Sequence, residues 1–209
     1  KEKWEGEETK DISKLRWGNL VAFAGWTYVF SNKLFGDMNA SYTRYASNLK
    51  RKYTETSEEE SLHNTSSTGN GINDLSLHAK FDYMPAQAHH IRFGGDYIYH
   101  RFHPEYTESR SSDINVTSMK NNPGILAAHE AGLYVEDDWE LNRIFRLNAG
   151  LRLGVFNIEK KTYTSLEPRF AIRALLSPSL SLKASYARMH QYVHQVGESY
   201  IDLPTDTWM

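Results

Sequence analysis

Hydrophobic and polar residues alternate with period two over much of this chain, the pattern of a strand with one apolar face. Leu75, Leu77, Ala79, Phe81 and Tyr83 alternate with Ser76, His78, Lys80 and Asp82. Ile91, Phe93, Gly95, Tyr97 and Tyr99 alternate with Arg92, Gly94, Asp96 and His100, and Ile98 is the exception. Leu147, Ala149, Leu151, Leu153 and Val155 alternate with Arg146, Asn148, Gly150 and Arg152, and Leu180, Leu182, Ala184 and Tyr186 with Ser181, Lys183 and Ser185. Weaker versions cover 18–30, 37–49, 128–139 and 166–176. The pattern predicts eight strands and no helix.

The connections between these strands alternate in length. Short ones fall at 31–36, 84–90, 140–145 and 177–179; longer, polar ones fall at 50–70, 103–127, 157–165 and in the tail from His190. All tight turns then lie at one end and all long loops at the other, as in an outer-membrane barrel. The alternating segments run to the roughly 9–11 residues a tilted membrane strand needs, above the soluble mode of about 5–6. Longer ones project beyond the membrane on the loop side. Aromatics close the apolar faces just before the short turns: Trp26, Tyr28 and Phe30, then Phe81 and Tyr83, then Trp139. That placement fits an interfacial girdle. The expected class is all-β: an antiparallel up-and-down transmembrane β-barrel segment.

Composition fits this picture. The 209 residues are 40% hydrophobic and 13% aromatic, and an average this polar suits a barrel in which only alternate residues face lipid. Lys and Arg number 24 against 26 Asp and Glu, for a net charge of −2, which disfavours a nucleic-acid partner. The chain has no cysteine, excluding disulfides, thiolate zinc sites and cysteine nucleophiles. The longest nearly apolar run, 20–30, is too short for a spanning helix. Residues 1–10 are charged and do not read as a secretory leader.

Charge is expensive on a lipid face, about 2–4 kcal/mol for Arg or Lys near mid-bilayer. The cost sends Arg92, Asp96, Glu136, Asp138, Arg152, Arg169, Arg173 and Lys183 inward, together with Lys80, Asp82, Glu130 and Tyr134. Glu136 and Asp138 are the nearest carboxylates expected for Arg152. Loop aromatics that ligand could stack on are Tyr53, Phe102, Tyr106, Tyr192, Tyr200 and Trp208; girdle anchoring and loop packing explain them equally well. The pairs His100/His103 and His190/His194 lie on strand ends and loops, where their spacing does not make a metal site. His129–Glu130 lacks the second histidine of a zinc-protease helix, and no nucleophile elbow or phosphate loop occurs. No catalytic set, metal or cofactor is expected.

Several stretches resemble TonB-dependent outer-membrane receptors. GLYVEDDWELNRIFRLNAGLRLGVF (132–156) is similar to a hairpin of that family through Leu133, Tyr134, Val135, Asp137, Asp138, Trp139, Leu147, Gly150, Leu151 and Arg152. SLEPRFAIRALLSPSLSLKASYARMHQ (165–191) resembles another through Pro168, Arg169, Arg173, Leu182, Lys183, Tyr186 and Arg188. HHIRFGGDYIYHRFHP resembles a family strand, and LPTDTW (203–208) resembles a loop motif of a subgroup from anaerobic gut bacteria. The resemblance covers about residues 71–209 in order and spacing; the first 70 fit by pattern.

The resemblance implies an active importer in the cell outer membrane that takes up a large scarce nutrient such as a siderophore, corrinoid, oligosaccharide or peptide. It implies that residues 1–209 are about eight strands of a larger barrel, without plug domain or terminal strands. The implied partners are outer-membrane lipid, the plug of the same protein, the TonB complex through an N-terminal segment absent here, and in some members a surface lipoprotein. The inward charges would contact the plug. A non-transporting surface receptor or scaffold barrel and a passive porin are the alternatives; a plug and TonB-contacting segment distinguish the transporter from the first, and conductance from the second.

Overall fold

The computed structural model describes residues 2–4, 7–57, 61–113, 118–198 and 205–208. Eight long strands form one antiparallel meander: β2 (Glu7–Ser31), β3 (Leu34–Thr56), β4 (Ser61–Ala86), β5 (His89–Ser111), β7 (Leu126–Glu140), β8 (Phe145–Ile158), β9 (Lys161–Ser177) and β10 (Leu180–Ala187). Each pairs with its neighbours in the chain. Two three-residue strands extend the sheet: β1 (Glu2–Trp4) pairs with the start of β2, and β6 (Met119–Asn121) with the outer part of β5. A separate hairpin joins β11 (Gln195–Glu198) and β12 (Thr205–Trp208). The sheet is open. β2 and β10 stand at its two sides and do not pair with each other.

The period of two fixes which face each residue occupies. Leu133, Leu153 and Leu166 pair across β7, β8 and β9 on one face, while Tyr134, Arg152 and Glu167 pair on the other. Every buried side chain belongs to the second face. These are Ile72, Phe102, Ala128 and Phe156, with the polar Ser47, Asn70, Ser76, His100, Ser165 and Glu167. The sheet curls around this inner face and turns its apolar side outward, where Leu133 is 68% and Tyr186 61% exposed. A soluble protein could not leave so wide an apolar surface bare; lipid covers the same face of a barrel wall. Trp26, Tyr28, Phe30, Phe81 and Phe93 make a continuous ring-to-ring run at the turn end of that face. β2 differs from the other strands. Its inner face is also apolar, with Trp17, Val21 and Phe23 in register with Ser47, Thr43 and Ser41.

The short turns lie where the pattern puts them, at 32–33, 87–88, 141–144 and 178–179. The opposite end differs from expectation. Residues 50–56, 61–70 and 103–111, read as polar loop, are strand, and the β8–β9 connection is a two-residue turn, Glu159–Lys160, with Glu159 at φ 51°. Ser, Thr and Asn on both faces hide a strand that stands in water on both sides. Cross-strand hydroxyl pairs still support it: Thr68 faces Thr107, and Ser66 faces Ser109. Long loops therefore do not alternate strictly with short ones. The wall is uneven instead. Ile158, the last residue of β8, aligns through Ala128 with His100, whereas β5 continues beyond His100 to Ser111 beside β4.

After β10 the chain leaves the sheet, and Tyr192 and Val193 pack against the inner face. Arg188 N–H donates to the Pro168 carbonyl, Tyr192 donates to Ser165 Oγ at 2.8 Å, and the Tyr192 ring stacks on Phe156 at 5.2 Å and 8°.

Candidate functional site

The inner face carries a ladder of ion pairs that crosses the strands from the turn end upward. Arg146 on β8 makes a two-point contact with Asp138 on β7, both bonds 2.9 Å. Asp82 on β4 accepts from His90 at 2.8 Å and meets Lys80 at 3.0 Å. Arg92 on β5 lies 2.8 Å from Glu136 on β7. Higher up, the Arg152 guanidinium donates to both oxygens of Asp96, at 2.7 and 2.8 Å. In the uppermost of these pairs, buried His100 donates from Nδ1 to Asp74, 2.8 Å away, and has Glu130 at 3.6 Å from Nε2.

Register and backbone explain the choice of partners. Arg152 was expected beside Glu136 or Asp138, but those two are held by Arg92 and Arg146. Arg152 instead reaches over β7 to β5, crossing at Gly132, where a Cβ would overlap its guanidinium and lie 3.0 Å from Asp96 Oδ1. The glycine is the groove that lets a bidentate pair span two strand spacings. No spacing rule in the sequence announces this, because the contact skips a strand.

Arg169, Arg173 and Lys183 also occupy inner-face positions. Arg169 lies opposite Gly150 and Ala187, and Arg173 lies between Arg146 and Lys183. Among the described residues these three cations have no ion-pair partner. Like charges directly opposite each other cost stability, so the row Arg146–Arg173–Lys183 leaves net positive charge on this part of the wall. Leu151, Leu153, Phe170 and Ile172 take the opposite, outer face.

Toward the loop end the inner face turns aromatic. Phe102, Phe156, Tyr163, Leu126 and Ile158 meet Tyr192 and Val193 of the inward segment around a cavity of about 410 Å³. Asn70, His103 and Glu105 supply polar groups at its edge. Of the aromatics singled out for ligand contact, Phe102 and Tyr192 line this cavity. Tyr106 does not. A bulge at 104–105 shifts the phase of β5, so Tyr106 pairs with Gly69 on the outer face and accepts from Asn48 Nδ2 at 3.1 Å. Trp208 ends β12, and Tyr200 lies outside the described residues. Phe156 and Tyr163 complete the cavity, and the sequence pattern does not single them out. Phe156 sits in the strand's charged alternation, and a lone apolar residue there is the signal that could have marked it.

The charged inner ladder, the apolar outer face and the tight turns at one end are what a barrel wall of an outer-membrane transport receptor requires. No curated protein matches the sequence. The family model for the TonB dependent receptor-like β-barrel matches residues 4–201. That family consists of outer-membrane transport receptors rather than enzymes, and its members work with a plug domain and with TonB. The chain belongs to the TonB-dependent receptor β-barrel family.

Proposed function

We propose that this chain forms about eight strands in the barrel wall of an active outer-membrane transporter, and that its inner face holds the transporter's plug through the basic strip on β9 and β10. The observation that carries the reading is the contrast between the two halves of the inner face. On β4, β5, β7 and β8 acidic and basic groups pair within and across strands, while Arg169, Arg173 and Lys183 make no ion pair among the described residues. A wall that only had to stand would gain by pairing them or replacing them with neutral residues. Acidic groups on a separately folded element inside the barrel supply the missing charge.

The cargo fits the same reading as a large, scarce nutrient: a siderophore, corrinoid, oligosaccharide or peptide, captured at the loop end, where exposed Tyr163 lines the aromatic cavity and can stack on a ligand. The TonB complex and, in the gut-bacterial manner that LPTDTW resembles, a surface lipoprotein would act with it.

The test uses the full-length receptor carrying Arg169→Leu and Arg173→Leu. Barrel insertion, read as heat-modifiable gel mobility, is expected to stay intact. Nutrient-limited growth on the transported compound is expected to fall at least tenfold, and single-channel recordings should show open events that the parent lacks. Normal transport and a closed channel would refute the plug contact.

A further inference from the structure

The apolar band on the outer face ends abruptly. Its last fully apolar register runs through Ala22, Tyr42, Leu75 and Tyr99, and the next runs through Leu20, Arg44, Asn73 and Arg101. Further out on the same face come Arg16, which pairs in register with Asn48, and then Lys14 opposite Lys50; Lys52 follows one pair beyond. Lys14, Arg16, Asn48, Lys50 and Lys52 line a groove of about 290 Å³.

Six cations therefore crowd one patch of β2, β3 and β5, and among the described residues none makes an ion pair. The outward carboxylate beside them, Glu108, is already taken by Arg110 at 2.6 Å. Lys14 directly across from Lys50 is a like-charge pair, which weakens a sheet. The local field is felt by His103: loss of solvent, and then Arg101 and Arg44, hold its imidazole below the usual range. Such a patch is costly to the folded chain unless an anion covers it. Its height on the wall decides which anion. Apolar side chains mark where acyl chains lie, and headgroups begin where those side chains stop. Arg44 and Arg101 stand at that boundary, on strands two spacings apart, about 10 Å. Guanidinium groups match phosphate oxygens in a two-point geometry, and lysines add diffuse attraction.

We propose that Lys14, Arg16, Arg44, Lys50, Lys52 and Arg101 form a docking site for the phosphorylated headgroup of a glycolipid in the outer leaflet, such as lipid A. The site faces away from the lumen, so it is separate from plug and cargo. The inference rests on the outer-membrane reading of the chain, and the two fail in different ways: a receptor missing from outer-membrane fractions refutes that reading, whatever lipid it binds.

The test is native mass spectrometry of the full-length receptor in detergent, titrated with bisphosphorylated lipid A and with the same lipid after enzymatic dephosphorylation. The parent receptor is expected to hold the phosphorylated lipid at least tenfold more tightly. The variant R44Q/K50Q/R101Q is expected to lose that preference while keeping heat-modifiable mobility. Equal binding of the two lipids by the parent overturns the proposal, and this arm stands even if the variant does not insert. A variant that keeps the preference overturns it as well, as does displacement of lipid A by millimolar inorganic phosphate, which would mark a simple ion site.

Discussion

At position 132 the missing side chain matters as much as the charges around it. Gly132 gives Arg152 its path to Asp96. Gly132→Val should push the guanidinium off Asp96 and cost about 1.5–3 kcal/mol, the range for hydrogen bonds to charged groups. Arg152→Ala should cost a similar amount alone and much less in the Gly132→Val background, a coupling of about 1–3 kcal/mol. Denaturant unfolding of the four proteins refolded into lipid measures it, and additive losses would mean that the glycine does not serve the pair. The inward position of Arg152 follows from the sequence, because a period of two and the cost of charge in lipid leave one choice. Its partner does not follow, since reach across a strand depends on an open backbone position that no periodicity encodes. Tyr106 shows a second limit: a one-residue bulge at 104–105 moves it to the opposite face from Phe102, and counting by twos carries no warning of that.

Among the elements, the β8–β9 turn places Glu159 at φ 51°. That left-handed conformation costs an L-residue roughly 1–2 kcal/mol, and glycine is free of most of it. Glu159→Gly should therefore stabilise the refolded protein by about 1 kcal/mol and Glu159→Val should destabilise it, both seen as shifts in the unfolding midpoint. The long strands were legible where one face is apolar, as at 75–83 and 147–155, since burial in lipid sets the alternation. They were illegible at 50–56, 61–70 and 103–111. There both faces meet water, so the side chains carry no alternation, and Ser, Thr, Asn and Gly read as loop. The inward packing of Tyr192 and Val193 is equally silent, because Tyr192 docks on Phe156 through a tertiary contact between segments with no shared pattern.

For the whole molecule, the open sides of β2 and β10 and the bare outer face set the behaviour in solution. Unpaired strand edges recruit other strands, so the 209-residue chain should elute from size exclusion as aggregates in plain buffer and as a defined species only in detergent. A monodisperse monomer in buffer would contradict a lipid-facing wall. The uneven height of the wall has a further consequence. From the level shared by His100 and Ile158, β4 and β5 rise on to Ser61 and Ser111, while β8 and β9 turn back at Glu159–Lys160. At about 2.5 Å of height per tilted residue, the taller side stands roughly 25 Å above the lower one. A barrel that closes on this wall would have a rim notched at Glu159–Lys160, with the Ser- and Thr-rich crest of β4 and β5 standing above the notch on one side.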